Sequence, residues 1–342
     1  MTQLTTMPSS KTKPGSITNF EATFSMYRET DFIDGMEAFA TIQPLHNTQQ
    51  AYWAIKEEYW KTCKWTATEK DFEKDSVIWN TTHRFSEGNV ETIHAFIKPR
   101  IQIIHTSEIL VVDDSILNRR TGKPMNTIVG DLSMPAIAKA FAIDQDEYDD
   151  GIKSKRQYSA RTKYLVNILT KDNRPAHEIP IVLTIKGMAS KDLGDMLKDF
   201  HKDMNKCYST GLELKGSMKF DARTQATFVF KPNLEVTSFK VQKGAKTISI
   251  CAIKDYEKPD YSTVEKAKES MFAFSIPIEN REYTWEQMQD KFLRNYINRH
   301  SKDAAAKLNG AFGIAEGVPA LLPRAIEALP EGAEDTGEDS SL

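Results

Sequence analysis

Two runs rich in β-branched residues, 164–170 (YLVNILT) and 180–186 (PIVLTIK), flank the turn-forming stretch Lys171-Asp172-Asn173-Arg174-Pro175, and Gly187 then hands the chain to a helical pattern. Alternating β-formers around such a turn specify an antiparallel hairpin. From Ser190, a residue suited to an N-cap, the apolar positions Leu193, Met196, Leu197, Phe200, Met204, Cys207 and Tyr208 recur at helical spacing, so the helix must bury one stripe. Its other face carries Lys191, Asp195, Lys198, Asp199, Lys202 and Lys206 at three- and four-residue intervals, the pattern of a solvated salt-bridge face. A hairpin and a one-sided helix in sequence require an α+β fold.

Further strands are expected at 77–81, 101–113, 226–231, 234–241 and 246–254, with turns at Lys231-Pro232-Asn233 and Lys243-Gly244-Ala245. The order of strand, hairpin, helix and antiparallel strands is that of an OB-like barrel with its helix between the third and fourth strands. Helices are expected at 46–64, capped by Asn47 or Thr48, at 132–143, and at 284–300 with Thr284 as N-cap. The chain therefore reads as an N-terminal arm (1–42), a helical or α+β flank (43–97), an OB-like basic β domain (98–258), a helical segment (259–326) and an acidic tail (327–342). That tail, with Glu331, Glu334, Asp335, Glu338 and Asp339 and no balancing cation, has the composition of a disordered segment.

The net charge of −3 hides a segregation. Residues 151–254 hold twenty Lys and Arg against nine Asp and Glu, so the middle carries +11 and the remainder −14. Such an asymmetry points the middle toward a polyanion, with a solvated lysine surface as the plainer alternative. The three cysteines, Cys63, Cys207 and Cys251, lie far apart without CxxC spacing, which excludes a disulfide framework and a cysteine-rich zinc site and fits a reducing, cytoplasmic setting. No apolar run approaches the length of a membrane span.

The segment Lys98-Pro99-Arg100-Ile101-Gln102 and the following strand, taken with 164–187, resembles a domain-of-unknown-function family found mainly in cyanobacteria. The likeness covers roughly residues 98–205 and implies no catalytic residue or cofactor. The strand order also resembles that of OB-fold single-stranded DNA-binding proteins.

Catalytic chemistry finds little foothold. Ile109-Leu110-Val111-Val112-Asp113-Asp114 resembles the metal-holding strand of a nucleotide hydrolase, yet Thr121-Gly122-Lys123-Pro124 is no phosphate-cradling GxxxxGK[ST] loop, and turn carboxylates are the simpler reading. Asp146, Asp150 and Gly151 partly mimic a calcium loop, but Gln157 stands where its glutamate belongs. No histidine pair has zinc spacing and no cofactor is implied.

A phosphate-tracking groove with flat side chains for base stacking fits better. The expected nucleic-acid-binding residues are Arg100, Arg119, Arg120, Lys123, Arg156, Tyr158, Arg161, Lys163, Tyr164, Lys171, Arg174, Lys231, Lys240 and Lys243, with Tyr158 and Tyr164 as stackers. Phe228 and Phe230 share one face as core or as a platform, core being favoured. Trp53, Trp60 and Trp65 read as core aromatics ahead of base stackers. The expected function is non-enzymatic binding of single-stranded DNA, or RNA, with the acidic tail competing for the groove or recruiting a protein partner. A self-assembling scaffold, homo-oligomeric through the same sheet, is the rival, and a metal-dependent nuclease using Asp113 and Asp114 the third reading.

Overall fold

The computed structural model describes residues 39–289 apart from 86, 87, 118–121, 123–126, 217 and 243. Of its two compact units, Met1–Phe39 and Ala40–Leu342, the second carries the described structure. The expected arm up to residue 38, the helix beyond 289 and the acidic tail lie outside the described residues.

The chain enters through a hairpin, β1 (Thr41–His46) and β2 (Ala51–Lys56), where a helix is expected from the sequence. Asn47, expected as a helix cap, instead closes the β-turn: its Oδ1 accepts from the amides of Gln49 and Gln50 at 2.9 and 2.7 Å. The run Ala51-Tyr52-Trp53-Ala54-Ile55 is buried throughout, so it is a strand covered on both faces rather than one stripe of a helix. Two 3-10 turns, Glu57–Tyr59 and Glu69–Asp71, follow.

Next come β3 (Val77–Arg84), β4 (Val90–Phe96), β5 (Ile101–Thr106), β6 (Leu110–Asp113), β7 (Thr127–Asp131) and helix α1 (Pro135–Asp149). The run 101–113 breaks into two strands because Ser107 leaves the ladder: its hydroxyl accepts from the Lys163 amide at 2.9 Å and its amide donates to the Lys163 carbonyl at 2.8 Å. The long strand β8 (Tyr158–Ile168) thus pairs with β5 over one half and β6 over the other. The helix runs past the expected end at residue 143, and Asp144 is buried in it, accepting from the amides of Gln157 and Tyr158 and from the Lys153 ammonium and so tying helix to strand.

The hairpin partner β9 (Ile181–Lys186) runs antiparallel to β8. Then follow α2 (Met188–Gly211), the short α3 (Ala222–Gln225), β10 (Val229–Phe230), β11 (Pro232–Val241), β12 (Lys246–Tyr256), α4 (Val264–Ala273) and α5 (Arg281–Gln289). Helix α2 starts earlier than the Ser190 cap implies. Gly187 stands at its head with φ 56°, and the Ser190 hydroxyl bonds instead to Thr162 of β8. The expected stripe is the core: Leu193, Phe200 and Met204 are buried in one cluster with Tyr164, Val166, Leu183 and Ile185 of the hairpin and with Phe228 and Phe230, and the buried Cys207 donates its Sγ–H to the Ala267 carbonyl at 3.3 Å. Thr284, expected to cap the last helix, lies inside α5 and is buried, accepting from Gln102 Nε2 at 2.7 Å.

The main sheet has ten strands in the order β10-β5-β8-β9-β1-β2-β4-β3, with the β6–β7 hairpin beside β8; the pairs are antiparallel except β9 with β1. It does not close. The edge of β9 is paired with β1 through Thr41↔Val182 and Ile42↔Leu183, while β12 is hydrogen-bonded to β11 in a separate two-stranded ribbon. The fold is mixed α+β with a large, open, mostly antiparallel sheet, and the expected closed barrel is not formed.

Candidate nucleic-acid interface

The register of the β8–β9 hairpin sets Arg161 opposite Lys186 and Lys163 opposite Thr184. Side chains alternate across a strand, so Arg161 and Lys163 share one face while Thr162 and Tyr164 turn to α2. The Thr162–Ser190 hydroxyl pair marks the α2 side. Three cations, Arg161, Lys163 and Lys186, therefore gather on the face turned away from α2.

Asp114 supplies a carboxylate there. Its backbone amide donates to the Gln157 carbonyl at 2.8 Å, and its Oδ1 accepts from Arg161 at 2.9 Å. No described carboxylate lies within ion-pair distance of Lys163 or Lys186. Burial and then the neighbouring Arg161 charge hold the Lys163 pKa below its ordinary value. Lys186 shifts the same way through burial and Arg161, with Asp114 opposing. Arg161 is lowered by burial against the pull of Asp114. Crowded, partly desolvated cations of one sign are better satisfied by an incoming anion than by each other.

The other described residues among those expected to bind do not join this group. Tyr164, expected to stack on a base, is 2 % exposed and belongs to the core, its hydroxyl facing Thr162 and Ser190 and its pKa pushed up by burial to about 12. Tyr158, the other expected stacker, packs half-buried with Val111, Val129 and Ile137 at α1. Arg156 lies over the Tyr148 ring at 4.8 Å and pairs with Asp149 at 3.6 Å. Arg100 is held by Glu73 and Asn173 at 2.5 and 2.6 Å. Lys231 is buried, paired with Glu257 at 3.0 Å and set over the Phe274 ring at 4.2 Å. Lys171 and Arg174 are exposed on the hairpin turn, where Lys171 donates to the Lys70 carbonyl, and Lys240 is exposed on β11. Arg119, Arg120, Lys123 and Lys243 lie outside the described residues.

Part of the positive charge of the middle region is neutralised locally. On α2, Lys198, Lys202 and Lys206 each pair with the aspartate three residues before, Asp195, Asp199 and Asp203. Lys186 is the residue that sequence reasoning missed. The signal was present, because extending the hairpin register from Val166↔Ile181 sets Lys186 against Arg161.

The aromatics favoured as core are core. Phe228, Phe230 and Trp53 are buried, and Trp60 and Trp79 sandwich His94 at 3.9 and 3.6 Å between ring centroids. Asp113 is engaged by Ser115 and Gln157, and among the described residues no group of three or more His, Cys, Asp or Glu is arranged to hold a metal ion. The described cysteines are buried and free. No described helix is long and apolar enough to cross a membrane. A shallow depression of about 550 Å³ beside His177 and Tyr283 has its one cation, Lys64, paired with Glu178 at 3.0 Å.

An α+β protein with an open antiparallel sheet and a cationic hairpin face is the class these features define. Within it, residues 137–301 match the model of a family described as a domain of unknown function (DUF5895). The match begins later and runs further than the stretch on which the resemblance was noted, and it takes in β8, β9, α2 and the β11–β12 ribbon. No curated protein and no solved structure shows significant similarity to the chain.

Proposed function

We propose that this chain is a non-enzymatic binding protein for single-stranded nucleic acid, DNA in preference to RNA, gripped by the face of β8 and β9 that turns away from α2. The observation that carries the reading is the convergence of Arg161, Lys163 and Lys186 on that face. Three cations on a flat strand pair suit a phosphate backbone.

Strand order supports it. The order β10-β5-β8-β9, with α2 between β9 and β10, is the part of an OB-type order that the main sheet keeps, the β11–β12 ribbon being a separate two-stranded sheet. In OB barrels the second and third strands bear the oligonucleotide, the position that β8 and β9 would take by that order. The carboxylates of the tail, from Glu331 to Asp339, would compete for the same cations or recruit a protein partner.

Fluorescence anisotropy with labelled single-stranded DNA, RNA and duplex across a salt series tests the proposal. Affinity for the single strand should exceed that for duplex, and log affinity should fall linearly with log salt at about −0.7 per phosphate neutralised. Absence of binding at about 50 mM salt, where phosphate contacts are strong, would overturn it. The scaffold reading draws on the edge strand β3, where Ile78 is 42 % exposed, and predicts self-association without oligonucleotide.

A further inference from the structure

Asp114 is an odd neighbour for a phosphate-binding cluster, because its carboxylate occupies the guanidinium that an incoming phosphate would use. It does not sit there by a floppy reach. Its backbone is pinned by the 2.8 Å bond from its amide to the Gln157 carbonyl, at the point where β8 begins. Arg161 is steadied in turn by a 3.4 Å contact from Nε to the Ser159 hydroxyl. The Arg161 side chain is largely buried at 10 % exposure, and Asp114, at 25 %, is the more accessible member of the pair. Lys163 and Lys186 lie outside ion-pair distance of Asp114 and keep their charges for a ligand.

We infer that Asp114 is an internal counter-anion that a phosphate of the bound strand must displace from Arg161, setting the affinity and the salt dependence of the β8–β9 face. The inference rests on the nucleic-acid reading above. Displacement leaves Asp114 to collect a solvent cation, and that capture cancels part of the counterion release on which phosphate binding runs. Asp114 is thus a specificity-setting residue: it penalises weak or isolated anions, which cannot repay the broken ion pair, more than a polyanion that reaches Lys163 and Lys186 at once.

The test is a salt series on the full chain with a labelled single-stranded DNA oligonucleotide, comparing wild type, Asp114→Asn, Asp114→Glu and Asp199→Asn. Asparagine retains an oxygen for Arg161 while removing the charge. Asp199→Asn removes the same charge from the solvent side of α2, where Asp199 pairs with Lys202. Asp114→Asn should bind about three- to fivefold tighter at low salt, the worth of a modest ion pair, and its salt slope should steepen by about 0.7. Asp114→Glu should restore wild-type behaviour and Asp199→Asn should leave it unchanged. Wild-type binding with an Asp114→Asn variant that is no tighter, or no different from Asp199→Asn, overturns the inference and leaves the nucleic-acid reading standing. Absence of binding by every variant overturns both. Should Asp114→Asn fail to fold, Asp114→Ser gives the same charge change in a shorter side chain and is held to the same outcomes.

Discussion

Arg161 stands directly opposite Lys186 across the β8–β9 ladder, two cations in register on one face of the sheet. Like charges in that position destabilise a strand pair, where favourable cross-strand pairs are worth about 0.2–1 kcal/mol. Asp114 relieves Arg161 through its 2.9 Å ion pair, while Lys186 has no such partner among the described residues. The juxtaposition is a standing cost to the fold, one that a bound anion would relieve.

The first prediction follows from that cost. Lys186→Gln should raise stability by a few tenths of a kcal/mol, up to about 1 kcal/mol, because it removes the repulsion from Arg161. The same change should weaken single-strand binding and flatten the salt slope by about 0.7. Urea midpoints and anisotropy titrations on one preparation read both effects. A variant that is less stable and binds as well as wild type would remove Lys186 from the interface.

Much of the fold was legible. The stripe from Leu193 to Tyr208 declared the buried face of α2, and the turn at 171–175 declared the hairpin, because both signals are local and repeat over several residues. What escaped was decided by tertiary context. Ala51–Lys56 carries apolar residues at spacings that fit a helix, and only burial on both faces makes it a strand. Tyr164 sits beside Lys163 in sequence, yet strand alternation turns it away from that cation and into the core. The parallel pairing of β9 with β1 joins residues far apart in the chain and leaves no local mark. For the candidate interface, charge density named a region and strand parity chose within it: Arg161 and Lys163 stay together while Arg100, Arg156 and Lys231 are spent on packing and ion pairs.

Tyr164 supplies the second prediction. It is among the largest fully buried side chains, wedged between the hairpin and α2. Tyr164→Ala should cost about 3–5 kcal/mol, the range for truncating a buried large aromatic. Tyr164→Phe should cost less, about 0.5–1.5 kcal/mol, by removing the hydroxyl that faces Thr162 and Ser190. Binding per folded molecule should be unchanged in the phenylalanine variant, and a large affinity loss there without a stability loss would return Tyr164 to the interface.

Gly187 supplies the third. It joins Lys186 to α2 at φ 56°, ψ −135°, a conformation open to glycine and strained for other residues. A Cβ built there meets no atom within 4 Å, so the cost of Gly187→Ala is purely conformational. Destabilisation of about 1–3 kcal/mol is expected, read from the denaturant midpoint at unchanged m-value. A loss below about 0.5 kcal/mol would mean that the junction relaxes to a negative φ.

Two buried histidines set the pH response. His177 is fully satisfied as a neutral ring: Nε2 accepts from the Ile168 amide at 3.0 Å, and Nδ1 bonds with the Ile179 carbonyl at 2.8 Å. His94 accepts at Nδ1 from the Asn80 amide at 3.2 Å and is stacked between Trp60 and Trp79. Burial pushes each pKa down to about 4, partly offset in His177 by its bond to Ile179. In the unfolded chain both rings titrate near the ordinary histidine value of about 6.5, so between about pH 4 and 6.5 the unfolded state binds more protons. Their contribution to stability is therefore complete above about pH 6.5 and drains away as pH falls toward 4. Asp260, held below the usual carboxylate range by hydrogen bonds from Ser262 and Lys266, loses its contribution only at lower pH, which keeps the windows apart. Urea midpoints measured from pH 8 to 4.5 should fall steadily below pH 6.5, and His177→Gln should flatten that fall while lowering stability at pH 8. Tryptophan emission should follow the same curve, because Trp60 and Trp79 flank His94. A midpoint constant across that range would show that neither histidine is held neutral by the fold.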